Sequence, residues 1–327
     1  MPLAGWEWAA AVTSWLGYLG LLLAAGGTFF LAFVHDGKDE ERRLITVLIV
    51  TAAVVAFVAR VAAEPVRAIQ ISGQGEQAVV DPRAYAVTLR TSDGWSGLVR
   101  LVGLSLLMVG VARRNSRRAL WLGTVGGLIA LASTNLAGHT VTAEPQWLVR
   151  LADLAHMLTA AIWFGGLVLL GLILRRRWGR TDPVDGAGLV ARFSGWATVA
   201  LALVMLAGVS MAWAEVRSLD ELFDSTYGVV LLIKVALVVG VAAVGAYNNR
   251  RLVPAIRRAA GGEPDQEGGH EVWRRLSTTV RLETVGLVVV LAITGMLVHI
   301  APPRPHETVM DHAAQSPDAG QVQSREQ

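Results

Sequence analysis

Eight long apolar stretches constrain this 327-residue chain more than any other feature. They occupy 8–34, 44–63, 95–112, 119–140, 147–174, 193–215, 228–247 and 280–300. A hydrocarbon layer about 30 Å thick is crossed by about 20 helical residues, so each is a transmembrane segment by length. Inside such a layer the helix satisfies every backbone donor and acceptor within its own segment. The expected fold class is therefore all-α: a polytopic bundle of about eight transmembrane helices. Two boundaries are loosely drawn, because the third stretch is short and the second ends at an internal Arg60.

Composition agrees. Charged residues are 17% of the chain, against roughly 25% in soluble domains, and 53% of residues are hydrophobic. There is no cysteine, which excludes disulfides, thiolate metal sites and cysteine nucleophiles. The chain carries 29 Lys and Arg and a net charge of +3, but the arginines cluster between apolar spans rather than lining an aromatic-studded groove. They orient helices in a bilayer, so the lipid bilayer is the implied partner and nucleic acid is excluded. No Lys or Arg precedes the first stretch, which is too long for the apolar core of a signal peptide, so it is expected to be a retained span.

Lys and Arg alternate between connections. Rich connections hold Lys38, Arg42 and Arg43; Arg113, Arg114, Arg117 and Arg118; Arg175, Arg176, Arg177, Arg180 and Arg192; and Arg250, Arg251, Arg257, Arg258, Arg274 and Arg275. The intervening ones hold Arg67, Arg83 and Arg90, then none in 141–146, then Arg217. By the positive-inside rule the rich connections are cytoplasmic and both termini lie outside. Segment 64–94, with Pro65, Pro82 and the turn cluster at Ser72–Gly75, is expected to be an external loop with a short surface helix. Residues 259–271 read as a flexible cytoplasmic linker, and 304–327 as a disordered extracytoplasmic tail. Glycines within spans, such as Gly123 with Gly127 and the pair Gly165–Gly166, are expected to let helices approach closely.

Ionisable residues inside a membrane are costly and tend to mark function. On the expected topology, Asn135 and His139 lie four apart near the outer end of the fourth span. Asp153 and His156 lie three apart in the fifth, with His156 roughly 14 Å in at 1.5 Å per residue. Met296 and His299 lie three apart near the outer end of the eighth, with His306, Met310 and His312 just beyond as external metal-capturing residues. Imidazole with thioether is a ligand set for Cu(I), and imidazole with carboxylate suits Cu(II) or Zn. One outward-facing metal site of His156, His139, His299, Met296 and Asp153 is therefore expected. Since neutral imidazole is the ligating form, its affinity should weaken below about pH 6.5. Blander alternatives are interfacial histidines bonded to headgroups or water, and methionines that only fill the core. Lys234, deep in the seventh span, is expected near a carboxylate such as Asp153 or Glu215, and Glu283 lies toward the cytoplasmic start of the eighth.

The fifth to eighth spans resemble the copper resistance protein D family. The resemblance rests on Asp153-Leu-Ala-His156 through Trp163-Phe-Gly165-Gly166, on Arg192-Phe-Ser, and on Thr226-Tyr227-Gly228 through Lys234. It continues with Tyr247-Asn-Asn-Arg-Arg-Leu-Val-Pro254 and with Arg281-Leu-Glu283 through Ala301-Pro302-Pro303. The first four spans resemble the family more loosely, mainly through Gly138-His139. On this basis the chain divides into an N-terminal four-helix region at 1–146 and a family-like four-helix domain at 147–303. The resemblance implies a non-enzymatic, inner-membrane copper transporter moving copper toward the cytoplasm, with His156, Trp163, Lys234 and His139 as functional positions. Asn135 and Glu283 join Lys234 and Trp163 along the expected path. The sequence has no methionine-rich run and no fused periplasmic copper-binding β-domain is expected, so a separate periplasmic copper chaperone is the expected donor. Two other readings compete: a membrane electron carrier with haem b held between two histidines, and an assembly subunit that binds no metal.

Overall fold

A computed structural model describes residues 5–35, 39–73, 75–113, 116–137, 145–177, 183–215, 223, 225–260 and 266–297. Among them there is no strand. Eight helices are long and apolar enough to span a membrane, as the hydropathy predicts. The order is α1 (Gly5–Phe33), α2 (Asp39–Ala62), α3 (Glu64–Ser72), a 3-10 turn (Gly75–Val80), α4 (Pro82–Arg90), α5 (Ser92–Ala112) and α6 (Arg117–Ala132). A 3-10 turn (Ser133–Leu136) closes α6, and α7 (Gln146–Arg177), α8 (Pro183–Glu215) and α9 (Thr226–Tyr247) follow. A π segment (Asn248–Leu252) then leads to α10 (Val253–Ala260) and α11 (Gln266–Leu297).

Helix ends follow local chemistry. The side chain of Asp81 caps α4, with Pro82 in its first turn, and the hydroxyls of Thr91, Ser116 and Ser225 cap α5, α6 and α9. Helices α8 and α11 begin earlier than the apolar runs, at Pro183 and Gln266 rather than near 193 and 280. Hydropathy marks only the portion in hydrocarbon. The helix itself continues into the interface, where arginines extend their charge toward water. The expected linker at 259–271 is thus helical from Gln266 onward, and its residues 261–265 lie outside the described ones.

Segment 64–94 holds two short helices and a 3-10 turn rather than one surface helix. They close on a small core of Ala68, Ala78 and Ala84, against which Ile69 and Tyr85 pack. Left-handed glycines at Gly73 and Gly75 make the turn between them.

Helix α1 sits at the centre. It packs on α2, α5 and α6 and also on α7 and α11. Its Leu21, Ala24 and Phe30 are fully buried. A β-carbon at Gly26 would run into the Ala161 carbonyl of α7, and one at Gly165 would meet the Gly26 backbone at 2.9 Å. Between α5 and α6 the same role falls to Gly103 with Gly126 and, farther along α5, to Gly110 with Gly123. Small residues thus set the closest crossings, as membrane packing requires. Helix α9 differs: it packs chiefly on α11 and has few fully buried residues.

Two polar clamps hold the arginine-rich end. The guanidinium of Arg177, at the end of α7, donates Nε and Nη2 to the two carboxylate oxygens of Glu41 at 2.7 Å each, and both residues are buried. Arg192 of α8 donates to the Val34 carbonyl at 2.9 Å. The second clamp lies in the π segment, where adjacent asparagines point to different neighbours, as successive residues of a helix do. Asn248 donates to buried Glu283 of α11. Asn249 accepts from Ser194 at 2.6 Å and donates to Thr198 at 2.9 Å, both on α8. The Arg192-Phe-Ser, Tyr247-Asn-Asn and Arg281-Leu-Glu283 motifs therefore meet at one junction.

Candidate functional site

Helix α7 carries Asp153 and His156 one turn apart, and the two face different halves of the bundle. Asp153 is buried and accepts from Thr134 Oγ1 at 3.1 Å, in the turn that closes α6. His156 Nδ1 lies 3.3 Å from the Val204 carbonyl of α8, and Gly208 of α8 leaves room beside the ring. A carbonyl only accepts, so Nδ1 is the protonated donor and Nε2 keeps its lone pair. Lys234 of α9 lies within electrostatic reach of the same imidazole.

Asp153 belongs to a larger polar cluster that the sequence reading missed. Arg100 of α5 donates to Ser133 Oγ at 3.2 Å and interacts electrostatically with Asp153 and with Tyr18 of α1. Ser96 donates to the Ser133 carbonyl at 2.7 Å. Farther along, buried Arg60 pairs with Glu64 and donates to the Asp93 carbonyl at 3.1 Å. Gly97 of α5 makes space for that guanidinium. Arg67 bridges Asp93 at 2.6 Å and Glu64 at 3.4 Å. Two groups of charged and hydroxyl side chains, coupled electrostatically through Asp93 and Arg100, thus lie between the α3–α5 end and Asp153. The available signal was Arg60 and Arg100 interrupting apolar spans, where a charge is expensive enough to need partners.

The remaining predicted residues are dispersed. Trp163 is buried in the apolar core two turns along α7 from His156. Asn135 sits in the 3-10 turn beside Thr134. Met296 is 47% exposed on α11, while its neighbour Gly295 faces Trp15 of α1. Glu283 is engaged with Asn248 toward the arginine-rich end. His139, His299, His306, Met310 and His312 lie outside the described residues. Among the described residues no group of three or more His, Asp or Glu side chains converges as a metal site.

Two family profiles match this chain. One, described as copper resistance protein D-like, N-terminal domain, covers residues 5–146. The other, described as copper resistance protein D, covers residues 187–297. Helix α7 falls between the two matched stretches. Copper transport protein CutJ of Bacillus subtilis is 30% identical over 240 residues, 70% of this chain and 44% of the relative. Copper resistance protein D of Pseudomonas syringae pv. tomato is 27% identical over 302 residues, 87% of this chain and 94% of the relative. Inner membrane protein YebZ of Escherichia coli is 27% identical over 239 residues, 71% of this chain and 77% of the relative. This chain therefore spans less than half the length of CutJ, and most of the other two. No solved structure matches.

Proposed function

Because the chain belongs to the copper resistance protein D family, we propose that it carries copper across the cytoplasmic membrane, toward the cytoplasm, as a non-enzymatic permease. Two of its relatives carry copper transport or copper resistance in their names. The observation that supports this reading most directly is the orientation of His156. Its Nδ1 faces the Val204 carbonyl at 3.3 Å, which leaves Nε2 as a neutral nitrogen donor inside the bundle. Imidazole nitrogen is a ligand for copper in either oxidation state.

On this reading copper arrives from the side on which the termini lie, supplied by a periplasmic chaperone. It is captured by His139, Met296, His299 and the tail residues His306, Met310 and His312, and passes to His156 beside Asp153. The polar run from Asp93 through Arg100 to Asp153 holds that carboxylate in place. Lys234 repels a cation at Nε2, which keeps occupancy brief and favours release along the path past Trp163 and Glu283.

The test uses the purified full chain in liposomes. Copper accumulation should exceed that of empty liposomes and fall to background in His156→Ala, with the variant still folded. Uptake by His156→Ala equal to wild type would end the proposal. An absorption spectrum of the same preparation checks the haem alternative, which a Soret band would favour.

A further inference from the structure

Toward the arginine-rich end, α7 and α11 approach closely at Gly171, where a β-carbon would touch Val280 at 3.2 Å. One turn beyond, the gap opens into a cavity of about 210 Å³ lined by Arg175, Arg274, Ser277, Thr278 and Arg281. We propose that this cleft binds a phosphate-bearing group: the headgroup of an anionic phospholipid, or free phosphate.

The chemistry of the lining carries the inference. Arg274, Ser277, Thr278 and Arg281 recur at helical spacing and so share one face of α11. Arg175, from the last turn of α7, completes a ring of three guanidinium groups. Glu271 answers only one of them, holding Arg274 at 2.6 Å. Arg175 and Arg281 have no carboxylate partner among the described residues. All three arginines are exposed, so water screens their mutual repulsion, and a phosphate entering the cavity would meet three positive charges at once. Ser277, whose hydroxyl makes no hydrogen bond among the described residues, supplies a neutral donor. Thr278 instead spends its proton on the Arg274 carbonyl at 3.0 Å. Guanidinium forks match phosphate oxygens two at a time. The position also suits a lipid. Arg175 and Arg281 lie where a span leaves hydrocarbon, the depth of the headgroup layer, and basic clefts between helices there hold anionic headgroups.

The experiment titrates the delipidated full chain in detergent with three probes: dihexanoyl phosphatidylglycerol, dihexanoyl phosphatidylcholine and inorganic phosphate. Saturable binding of phosphatidylglycerol, with phosphatidylcholine much weaker, supports the site and names the lipid. Equal saturable binding of inorganic phosphate supports the shared chemistry and names the free ion. Arg175→Gln/Arg281→Gln should weaken binding about 30-fold, the effect of losing two arginines near an anionic group. Arg257→Gln/Arg258→Gln, at the same end on α10 but outside the cleft, should leave binding unchanged. If the double variant fails to fold, Ser277→Ala and Arg281→Lys should each still weaken binding. Absent saturable binding, or an equal loss in the α10 control, would overturn the proposal.

Discussion

His156 is aimed by Val204: the ring nitrogen Nδ1 of a helix-α7 histidine meets the backbone carbonyl of a helix-α8 valine at 3.3 Å. One turn earlier Asp153 accepts from Thr134 at 3.1 Å, in the turn that closes α6. Helix α7 therefore joins the two halves of the bundle through polar side chains, and the direction of Nε2 depends on how α7 and α8 pack. A backbone acceptor cannot be removed by mutation, but the packing beside it can be changed.

Gly208 gives that lever. A β-carbon there would lie 3.7 Å from His156 Cε1, an ordinary van der Waals contact. Gly208→Ala should therefore transport copper as wild type does. Gly208→Leu has no such room and should turn the ring, lowering copper affinity about 10- to 100-fold, as loss of a ligand's orienting partner does. Copper titration of both purified variants decides it, and equal affinity in the two would show that ring orientation does not matter.

The pair Glu41 and Arg177 supports a stability prediction. Both are buried and joined by two bonds of 2.7 Å. Removing one partner strips a buried charge of its two-bond counter-ion, at a cost of about 3–5 kcal/mol, although His35 Nε2, 3.4 Å from Glu41 Oε2, stays beside the carboxylate. Glu41→Gln and Arg177→Met should each lower the melting temperature in detergent markedly. Glu41→Leu/Arg177→Met should recover much of the loss, since no lone charge remains. A double variant less stable than either single one would contradict this account.

Membrane sidedness follows from the arginine alternation. Reporter fusions placed after Pro303 should be active for a reporter that works outside the cytoplasm and inactive for one that works inside. Fusions after Arg258 should behave oppositely. Inverted activity would reverse the proposed direction of copper entry as well.

Hydropathy made the eight spans legible because the bilayer imposes both length and backbone satisfaction, and neither depends on partners. The Asp153–His156 pair was legible for the same reason, since a carboxylate and an imidazole three apart in an apolar run stand out. What α7 does with them was not. The contact from His156 to Val204 spans 48 residues and the Glu41–Arg177 clamp spans 136, and nothing local in the sequence encodes either. Arg60 disturbed a span boundary and so read as an edge effect, while the structure places it in a cluster with Glu64, Asp93 and Arg67. Arg100 sits among glycine and leucine and carries no motif. The resemblance pointed to Tyr247-Asn-Asn, but which neighbours the two asparagines meet, α11 for one and α8 for the other, is set by how the helices pack.

The link between Asp153 and Arg100 yields a prediction that separates structure from transport. Asp153→Asn keeps an oxygen that can accept from Thr134 but removes the negative charge facing Arg100 and Tyr18. Arg100→Gln removes the other charge and keeps a donor for Ser133. Each single variant should be destabilised, because one ion within the bundle then loses a counter-charge, Arg100 keeping the electrostatic support of Asp93 and Tyr18. The combined Asp153→Asn/Arg100→Gln variant should be more stable than the sum of the single losses implies, with a coupling of about 0.5–3 kcal/mol. Thermal unfolding of the four proteins in one detergent measures it, and strictly additive losses would show that the two side chains do not sense each other. Copper uptake should not follow the same pattern. If the carboxylate beside His156 belongs to the transport path, the stable double variant stays impaired; full uptake by that variant would reduce Asp153 to a structural counter-ion.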